Sequence, residues 1–184
     1  MNEREGLEMS APYYPEELWS EILPGLFQGG TDEADELGGF LKAAPTGLRS
    51  WEAIDFIQET QLTTNDFDTV ITAYNQANPC SLKVKELRFT FFDGNMTDFE
   101  PEQDLYWLVR EAHSDWKAGK KVLVRCQAGI NRSGLITALV LIRDGHEPAA
   151  AIELIRQKRC TSALSNSHFE QWLLNNVDLD FWRN

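Results

Sequence analysis

The sequence predicts a single α/β domain with a central, mostly parallel, twisted sheet and helices on both faces. Short apolar segments typical of buried strands alternate along the chain with longer segments of helical periodicity. The chain has 184 residues, which is enough for one domain with a sizeable hydrophobic core. Together, the alternation and the length favour one layered domain over a bundle or a sandwich.

The sequence divides into a short N-terminal arm and a folded domain. Residues 1–20 predict an extended N-terminal arm, because Pro12 and Pro15 disfavour a helix there. Residues 21–184 predict the folded domain. Within it, residues 31–66 indicate either a surface insertion with one short helix or a flap that borders the functional site.

The strands are predicted where apolar residues cluster between turn signals. The predicted strand regions are 22–29, a hairpin around Pro24 and Gly25, then 67–72, 82–92 and 121–124. A helix begins at Pro101, where proline is favoured in the first turn, and ends near Gly119. Residues 135–142 predict a buried helix, and further helices begin at Pro148 and at Ser167, the latter within a capping box.

Charge and cysteine content exclude several classes of function. Acidic residues outnumber basic ones, 29 to 17, and the formal net charge of −12 argues against nucleic-acid binding. Cys80, Cys126 and Cys160 lack paired metal spacing, so no metal or cofactor is predicted. Sparse cysteines, an acidic N-terminus and the lack of a long apolar run predict a cytoplasmic protein that binds no membrane. The oligomeric state stays open.

The segment Val122 to Gly134 combines a strand end, a short loop and a helix start. Amides at a helix N-terminus bind anions, and Gly129 permits a tight turn close to a ligand. Arg132 adds a planar fork of donors that fits two phosphate oxygens. Cys126 follows the strand, where helix amides and cations favour the reactive thiolate. The segment therefore predicts a loop that binds a phosphate and also supplies a nucleophile.

This Cys-x-x-Gly-x-x-Arg-Ser pattern resembles the phosphate loop of the cysteine-dependent protein tyrosine phosphatases, most closely their small dual-specificity branch. The Pro-Gly turn before Gln28-Gly29-Gly30 resembles the opening hairpin of the same domain. The resemblance implies a phosphatase-like catalytic domain over residues 21–184. It also implies hydrolysis of phosphate monoesters through a phosphocysteine intermediate, with phosphotyrosine as the main substrate and phosphoserine and phosphothreonine as further candidates.

The resemblance also implies a role for each site residue. Cys126 is the nucleophile, Ser133 donates a hydrogen bond to its sulfur, and Asp93 is the general acid. Asp98 competes with Asp93, although its position before a helix also suits a capping residue. The predicted phosphate-binding positions are Gln127, Ala128, Gly129, Ile130, Asn131 and Arg132.

Arg125 departs from the family pattern, which usually has histidine immediately before the cysteine. Arginine accepts no hydrogen bond and is costly to bury unpaired, so a carboxylate partner is expected. The departure leaves an alternative function, a catalytically weak or inactive pseudophosphatase that binds phosphate and recognises phosphorylated partners. The expected ligand is a phosphorylated protein or a small phosphate monoester. The basic residues Arg156, Lys158 and Arg159 predict a solvated helix end, or else a cationic rim of the pocket.

Overall fold

The computed structural model describes residues 11–31, 63–97 and 99–184. These residues contain one five-stranded sheet in the order β1-β2-β5-β3-β4. The strands are β1 (Trp19–Leu23), β2 (Leu26–Gly29), β3 (Thr69–Thr72), β4 (Lys85–Arg88) and β5 (Val122–Arg125).

The sheet is parallel except for β1, which pairs antiparallel with β2 through the predicted hairpin. In the register of the central strands, Arg125 lies opposite both Gly29 and Thr72. The carboxyl ends of β2, β3 and β5 therefore meet at one edge of the sheet. The loop that follows β5 leaves the sheet at this edge, which is where parallel sheets usually bind ligands.

The described helices are α1 (Pro101–Asp104), α2 (Tyr106–Lys117), α3 (Arg132–Arg143), α4 (Pro148–Lys158), α5 (Ser167–Asn175) and α6 (Leu179–Arg183), with a 3-10 turn at Thr63–Asp66. The central helix α3 buries every residue from Ser133 to Ile142. This continuous burial explains why its sequence is almost uniformly apolar. None of the helices in the described ranges has the length and apolar character needed to cross a bilayer.

The two faces of the sheet carry separate apolar clusters, because side chains alternate along each strand. Ile71, Val122 and Val124 join the large core that also contains the apolar residues of the helices. Val70 and Leu123 face the opposite side and form a smaller cluster with the aromatic residues Phe67, Trp19 and Phe27. The described helices pack on the first face. The short helix and the insertion or flap predicted within residues 31–66 fall mostly on residues 32–62, which lie outside the described ranges, as do residues 1–10 of the arm.

Three predicted elements differ from the structure in extent. The strand predicted over 82–92 is limited to β4. Phe89 N still donates to the Thr72 carbonyl at 3.2 Å, but Phe91 packs in an aromatic group with Phe99 and Phe169. The helix that begins at Pro101 is interrupted at Leu105, which separates α1 from α2. Helix α5 is capped by the Asn166 side chain, which accepts from His168 N, and Ser167 is already helical.

A buried carboxylate ties α2 to the sheet. Asp115 accepts hydrogen bonds from Thr69 Oγ1 at 2.8 Å, Lys85 Nζ at 2.8 Å and Lys120 Nζ at 2.7 Å. Burial opposes ionisation of Asp115, but the bonds from Lys120, Lys85 and Thr69 outweigh it and lower the pKa of its carboxyl to about 2. The charged carboxylate is therefore a stabilising contact between the helix and β3.

We expect Asp115→Asn to lower the free energy of unfolding at neutral pH by about 1–2 kcal/mol. The folded-state pKa lies below the unfolded one, so this contribution is complete above about pH 5 and is lost as the pH falls toward the folded value. Urea unfolding of both proteins at neutral pH and near pH 2 measures the difference and its disappearance.

Glu111→Gln is the control, because Glu111 also contacts Lys85 at 2.8 Å but is 35% exposed. Exposed ion pairs contribute about 0.5 kcal/mol or less. Equal losses in the two variants, or an Asp115→Asn deficit that persists in acid, would contradict the assignment.

Candidate active site

The loop between β5 and α3 is held by hydrogen bonds to its backbone carbonyls. Thr31 N donates to the Gln127 carbonyl at 2.9 Å, and Leu164 N donates to the Ile130 carbonyl at 3.2 Å. In a trans peptide the carbonyl and the following N–H point in opposite directions. Carbonyls bonded outward therefore turn the next amides toward the inside of the loop, which is the arrangement of an anion-binding nest.

Gly129 is the tightest point of this loop. Its φ is +70°, and a Cβ built there would lie 2.4 Å from the Gly29 carbonyl carbon and 2.7 Å from Arg159 Nη2. Its carbonyl accepts from Gln28 Nε2 at 3.1 Å and from Arg159 Nε at 3.2 Å. The glycine is thus required both by the backbone angle and by the close approach of two other segments.

Cys126 and Ser133 lie at the two ends of the loop and meet below it. Cys126 is 2% exposed, and its Sγ lies 3.3 Å from Ser133 Oγ. Ser133 is fully buried in the first turn of α3. A hydroxyl at this distance can donate a hydrogen bond to a thiolate.

The Arg132 guanidinium lies beside the loop at the start of α3. Its Nη1 donates to the Ala73 carbonyl at 3.3 Å, and its central carbon lies 5.3 Å from the centre of the Tyr74 ring. Its Nε is buried, and no acceptor within the described ranges bonds to it. A buried N–H donor without a protein acceptor is uncommon and fits a ligand oxygen at this point.

Two asparagine amides bind the carboxylate of Asp93, one from the loop and one from the start of α5. Asn131 Nδ2 donates to Oδ2 at 3.2 Å, and Asn166 Nδ2 donates to Oδ1 at 2.9 Å. The Asn131 side-chain oxygen in turn accepts from Asn166 N at 3.0 Å. Asp93 is exposed, yet its carboxylate is oriented by these two asparagines. Asp98, the competing candidate acid, lies outside the described residues.

An open cavity of about 550 Å³ adjoins this carboxylate. Its lining is polar, with side chains that offer amides, hydroxyls and an imidazole. The lining includes Asp93, Asn95, Asn131, Ser165, Asn166 and His168. The cavity shares Asp93 and Asn131 with the candidate site, but Cys126 and Arg132 are not among its lining residues.

The Cys126 loop can be compared with known proteins. The family model for the catalytic domain of dual specificity phosphatases matches residues 51–177. The chain belongs to this dual specificity phosphatase family. A probable protein tyrosine phosphatase type IVA B of Dictyostelium discoideum is 35% identical over 83 residues, a match that spans 42% of this chain and 47% of that protein.

Solved structures of dual specificity phosphatases share the fold. Human DUSP28 has a TM-score of 0.62 at 22% identity, and the match covers 89% of this chain and 94% of that chain. A mouse putative dual specificity phosphatase, complexed with zinc tungstate, has a TM-score of 0.60 at 21% identity and is covered over 97% of both chains. At these identities the likeness shows the fold alone.

Arg125, the last residue of β5, stands where the resemblance implies a histidine, and its side chain lies on the second face of the sheet. Arg125 is fully buried. Its Nε donates to Thr72 Oγ1 at 3.0 Å, and its Nη2 donates to the Asn78 carbonyl at 2.6 Å. The same Nη2 lies 3.3 Å from Glu86 Oε1, which is the carboxylate partner expected from the sequence.

Two ionisable side chains lie beside Arg125, the Glu86 carboxyl and the Cys80 thiol. Burial opposes ionisation of Glu86, but bonds from Thr72 Oγ1 and Cys80 N and the charges of Arg88 and Arg125 hold the pKa of its carboxyl below the ordinary value. Burial raises the pKa of the Cys80 thiol to about 11, although Arg125 opposes this rise. Glu86 is therefore the counter-charge of Arg125, and Cys80 stays a neutral thiol.

The basic residues at the end of α4, Arg156, Lys158 and Arg159, are predicted to form a solvated helix end or a cationic rim, and for Arg159 the solvated helix end is wrong. Lys158 is exposed, but Arg159 is only 4% exposed and lies against the loop at Gly129. Sequence reasoning also missed Asn166 and Glu86. The one sequence signal for Arg159 was its place among basic residues. That signal does not show whether an arginine at a helix end faces solvent or another segment.

No cluster of potential metal-binding side chains occurs in the described part of the chain. The structure brings the predicted site residues Cys126, Arg132, Ser133 and Asp93 together around one loop. Ala128 and Gln127 are exposed at its outer side, and Ile130 is partly buried.

We expect Glu86→Gln to lower the free energy of unfolding by about 3 kcal/mol, because it leaves the Arg125 guanidinium buried without its carboxylate. Chemical unfolding at neutral pH measures this loss.

The matched control is Glu170→Gln. Glu170 pairs with Arg156 at 2.8 Å, but the two side chains are 29% and 28% exposed. Its loss is expected to stay below about 1 kcal/mol. A similar loss in both variants would show that Glu86 is not the required counter-charge.

Proposed function

We propose that this protein is a phosphatase that hydrolyses phosphate monoesters through a phosphocysteine intermediate. The observation that carries the proposal is the Cys126 thiol at 3.3 Å from Ser133 Oγ, at the base of a loop whose amides turn inward. Membership of the dual specificity phosphatase family supports it. The buried Nε of Arg132, which has no acceptor within the described ranges, supplies a donor for the phosphate oxygens.

In the first step the Cys126 thiolate attacks phosphorus. A sulfur–phosphorus bond forms and the bond to the leaving oxygen breaks, while Asp93 gives its proton to that oxygen. Arg132 and the amides of residues 127–132 stabilise the charge on the equatorial oxygens. Contact between Asp93 and Asn131 of the loop supports this choice of acid.

In the second step water attacks the phosphocysteine. The Asp93 carboxylate takes a proton from the water, the sulfur–phosphorus bond breaks, and inorganic phosphate and the thiolate are released. Ser133 donates a hydrogen bond to the departing sulfur. The two steps use the same groups in opposite protonation states, so no further residue is needed for turnover.

The proposed substrate is a phosphotyrosine-containing protein or a small aryl phosphate, with phosphoserine and phosphothreonine as further candidates. The loop positions Gln127, Ala128, Ile130 and Asn131 add no cation, which fits a singly phosphorylated substrate better than a polyphosphorylated one. A cytoplasmic location stays a prediction from the sequence.

We expect the native chain to hydrolyse an aryl phosphate and the Cys126→Ser variant to lose at least about 1,000-fold in kcat, because an alcohol replaces the thiolate nucleophile. Steady-state kinetics across pH measure both. A native chain that binds inorganic phosphate or tungstate without any turnover would sink the enzyme proposal and favour a phosphate-binding pseudophosphatase.

The role of Asp93 is tested by the leaving group. Asp93→Asn should lower kcat by about 100-fold for a phenyl phosphate with a poor leaving group, and less for p-nitrophenyl phosphate, whose leaving oxygen needs little protonation. Asp98→Asn is the comparison. A leaving-group effect in Asp98→Asn and not in Asp93→Asn would transfer the acid role to Asp98.

A further inference from the structure

Arg159 is a buried cation whose partners within the described ranges are all neutral. Its Nη1 donates to the Glu17 carbonyl at 2.7 Å and to Ser20 Oγ at 3.2 Å, and its Nη2 donates to the Leu18 carbonyl at 3.0 Å. Its Nε donates to the Gly129 carbonyl at 3.2 Å. No carboxylate within the described residues forms an ion pair with this guanidinium, in contrast to Arg125. Burying a guanidinium without a counter-charge costs desolvation free energy, so we expect a role for Arg159 other than packing.

These bonds join three segments that are distant in sequence. Residues 17–20 end the N-terminal segment and begin β1, Gly129 is the tight point of the loop, and Arg159 follows α4. The segment before β1 is also fixed further along, where Thr161 N donates to the Pro12 carbonyl at 2.8 Å. Arg159 is thus the side chain that connects the N-terminal segment with the loop.

The bond to Gly129 has a consequence inside the loop. The Gly129 carbonyl is held by Arg159 Nε on one side and by the buried Gln28 amide on the other. Since the peptide is planar and trans, fixing this carbonyl outward directs the Ile130 N–H the opposite way, toward the inside of the loop. A charged donor on the carbonyl also polarises the peptide, which makes the Ile130 N–H a stronger donor.

The positive charge of Arg159, like the oriented Ile130 amide, favours an anion in the loop. Burial lowers the pKa of Arg159 below its ordinary value, and the nearby Cys160, Cys126 and Glu17 oppose this lowering. An anion bound on the other side of the Gly129 peptide would stabilise the buried cation further. The electrostatic gain is therefore largest when the loop holds an oxyanion.

We propose that Arg159 is a positioning residue for oxyanion binding, which orients the Ile130 amide through the Gly129 carbonyl and couples residues 17–20 to the loop. This inference rests on the proposed function, because it deepens the description of the same loop. It requires only that the loop binds an oxyanion, whether or not turnover follows.

The test measures tungstate affinity by calorimetry, with all variants in a Cys126→Ser background so that the thiol plays no part. Arg159→Met is expected to weaken tungstate binding about tenfold, since one charge-assisted contact to the loop is lost. Arg159→Lys keeps the charge but lacks the planar fork, and it is expected to weaken binding by about threefold to fivefold. With the thiol restored, KM for an aryl phosphate should rise by a larger factor than kcat falls.

Arg143→Met is the matched control. Arg143 also donates to two backbone carbonyls, those of Trp182 at 2.9 Å and Asn184 at 3.3 Å, but at the C-terminus. We expect it to lower the melting temperature without changing tungstate affinity by more than about twofold. Equal weakening in the Arg143 and Arg159 variants would reduce Arg159 to a structural role.

A second variant covers the case in which Arg159→Met does not fold. Gln28→Met removes the other donor to the Gly129 carbonyl, and it should weaken tungstate binding in the same direction. Unchanged tungstate affinity in a folded Arg159→Lys or Gln28→Met variant would overturn the inference. Absence of hydrolysis in the native chain, with tungstate still bound and sensitive to Arg159, would instead overturn the proposed function and leave this inference intact.

Discussion

The planarity of the peptide bond governs the candidate site. Each loop carbonyl that is bonded outward turns the next N–H inward, so the anion site depends on donors that lie outside the loop. These donors come from separate parts of the chain. Thr31 follows β2, Leu164 follows α4, and Arg159 closes α4. The loop geometry is therefore a property of the whole layer of segments around it. The Cys-x-x-Gly-x-x-Arg-Ser sequence supplies the chemistry, and the surrounding segments supply the shape.

The three arginines near the loop, Arg125, Arg132 and Arg159, differ in their contacts and therefore in their effects. Arg125 faces the second side of the sheet, and Glu86 compensates its charge, so it stabilises the sheet below the loop. Arg159 is buried against neutral acceptors in the described region and keeps its positive field near the loop. Arg132 has a buried donor available for a ligand. The net charge of −12 does not contradict the proposed anion site, because net charge is a poor guide to the field inside a cavity.

The fold and the loop could be predicted because their signals are local. The spacing from Cys126 to Ser133 fits within one strand–loop–helix unit, and the apolar α3 could only be buried. The extent of β4 could not be predicted, since Phe91 is apolar whether it continues the sheet or packs against Phe99. Glu86 and Asn166 could not be found either, because their contacts cross 39 and 73 residues of chain and depend on tertiary packing. A helix cap one residue from the predicted one, at Asn166, reflects the same limit of local rules.

Asn131 helps to orient Asp93 for both of its proposed roles, as acid in the first step and as base in the second. Its amide donates to Asp93, while its oxygen accepts from Asn166 N, so the candidate acid, the loop and the start of α5 form one hydrogen-bonded unit. An acid that protonates a leaving group needs a fixed position, and a base that activates water needs access to solvent. Burial of the carboxylate would fix its position but would prevent access to solvent. Two amides on an exposed carboxylate satisfy both, because they fix the direction of Asp93 and leave it open to water.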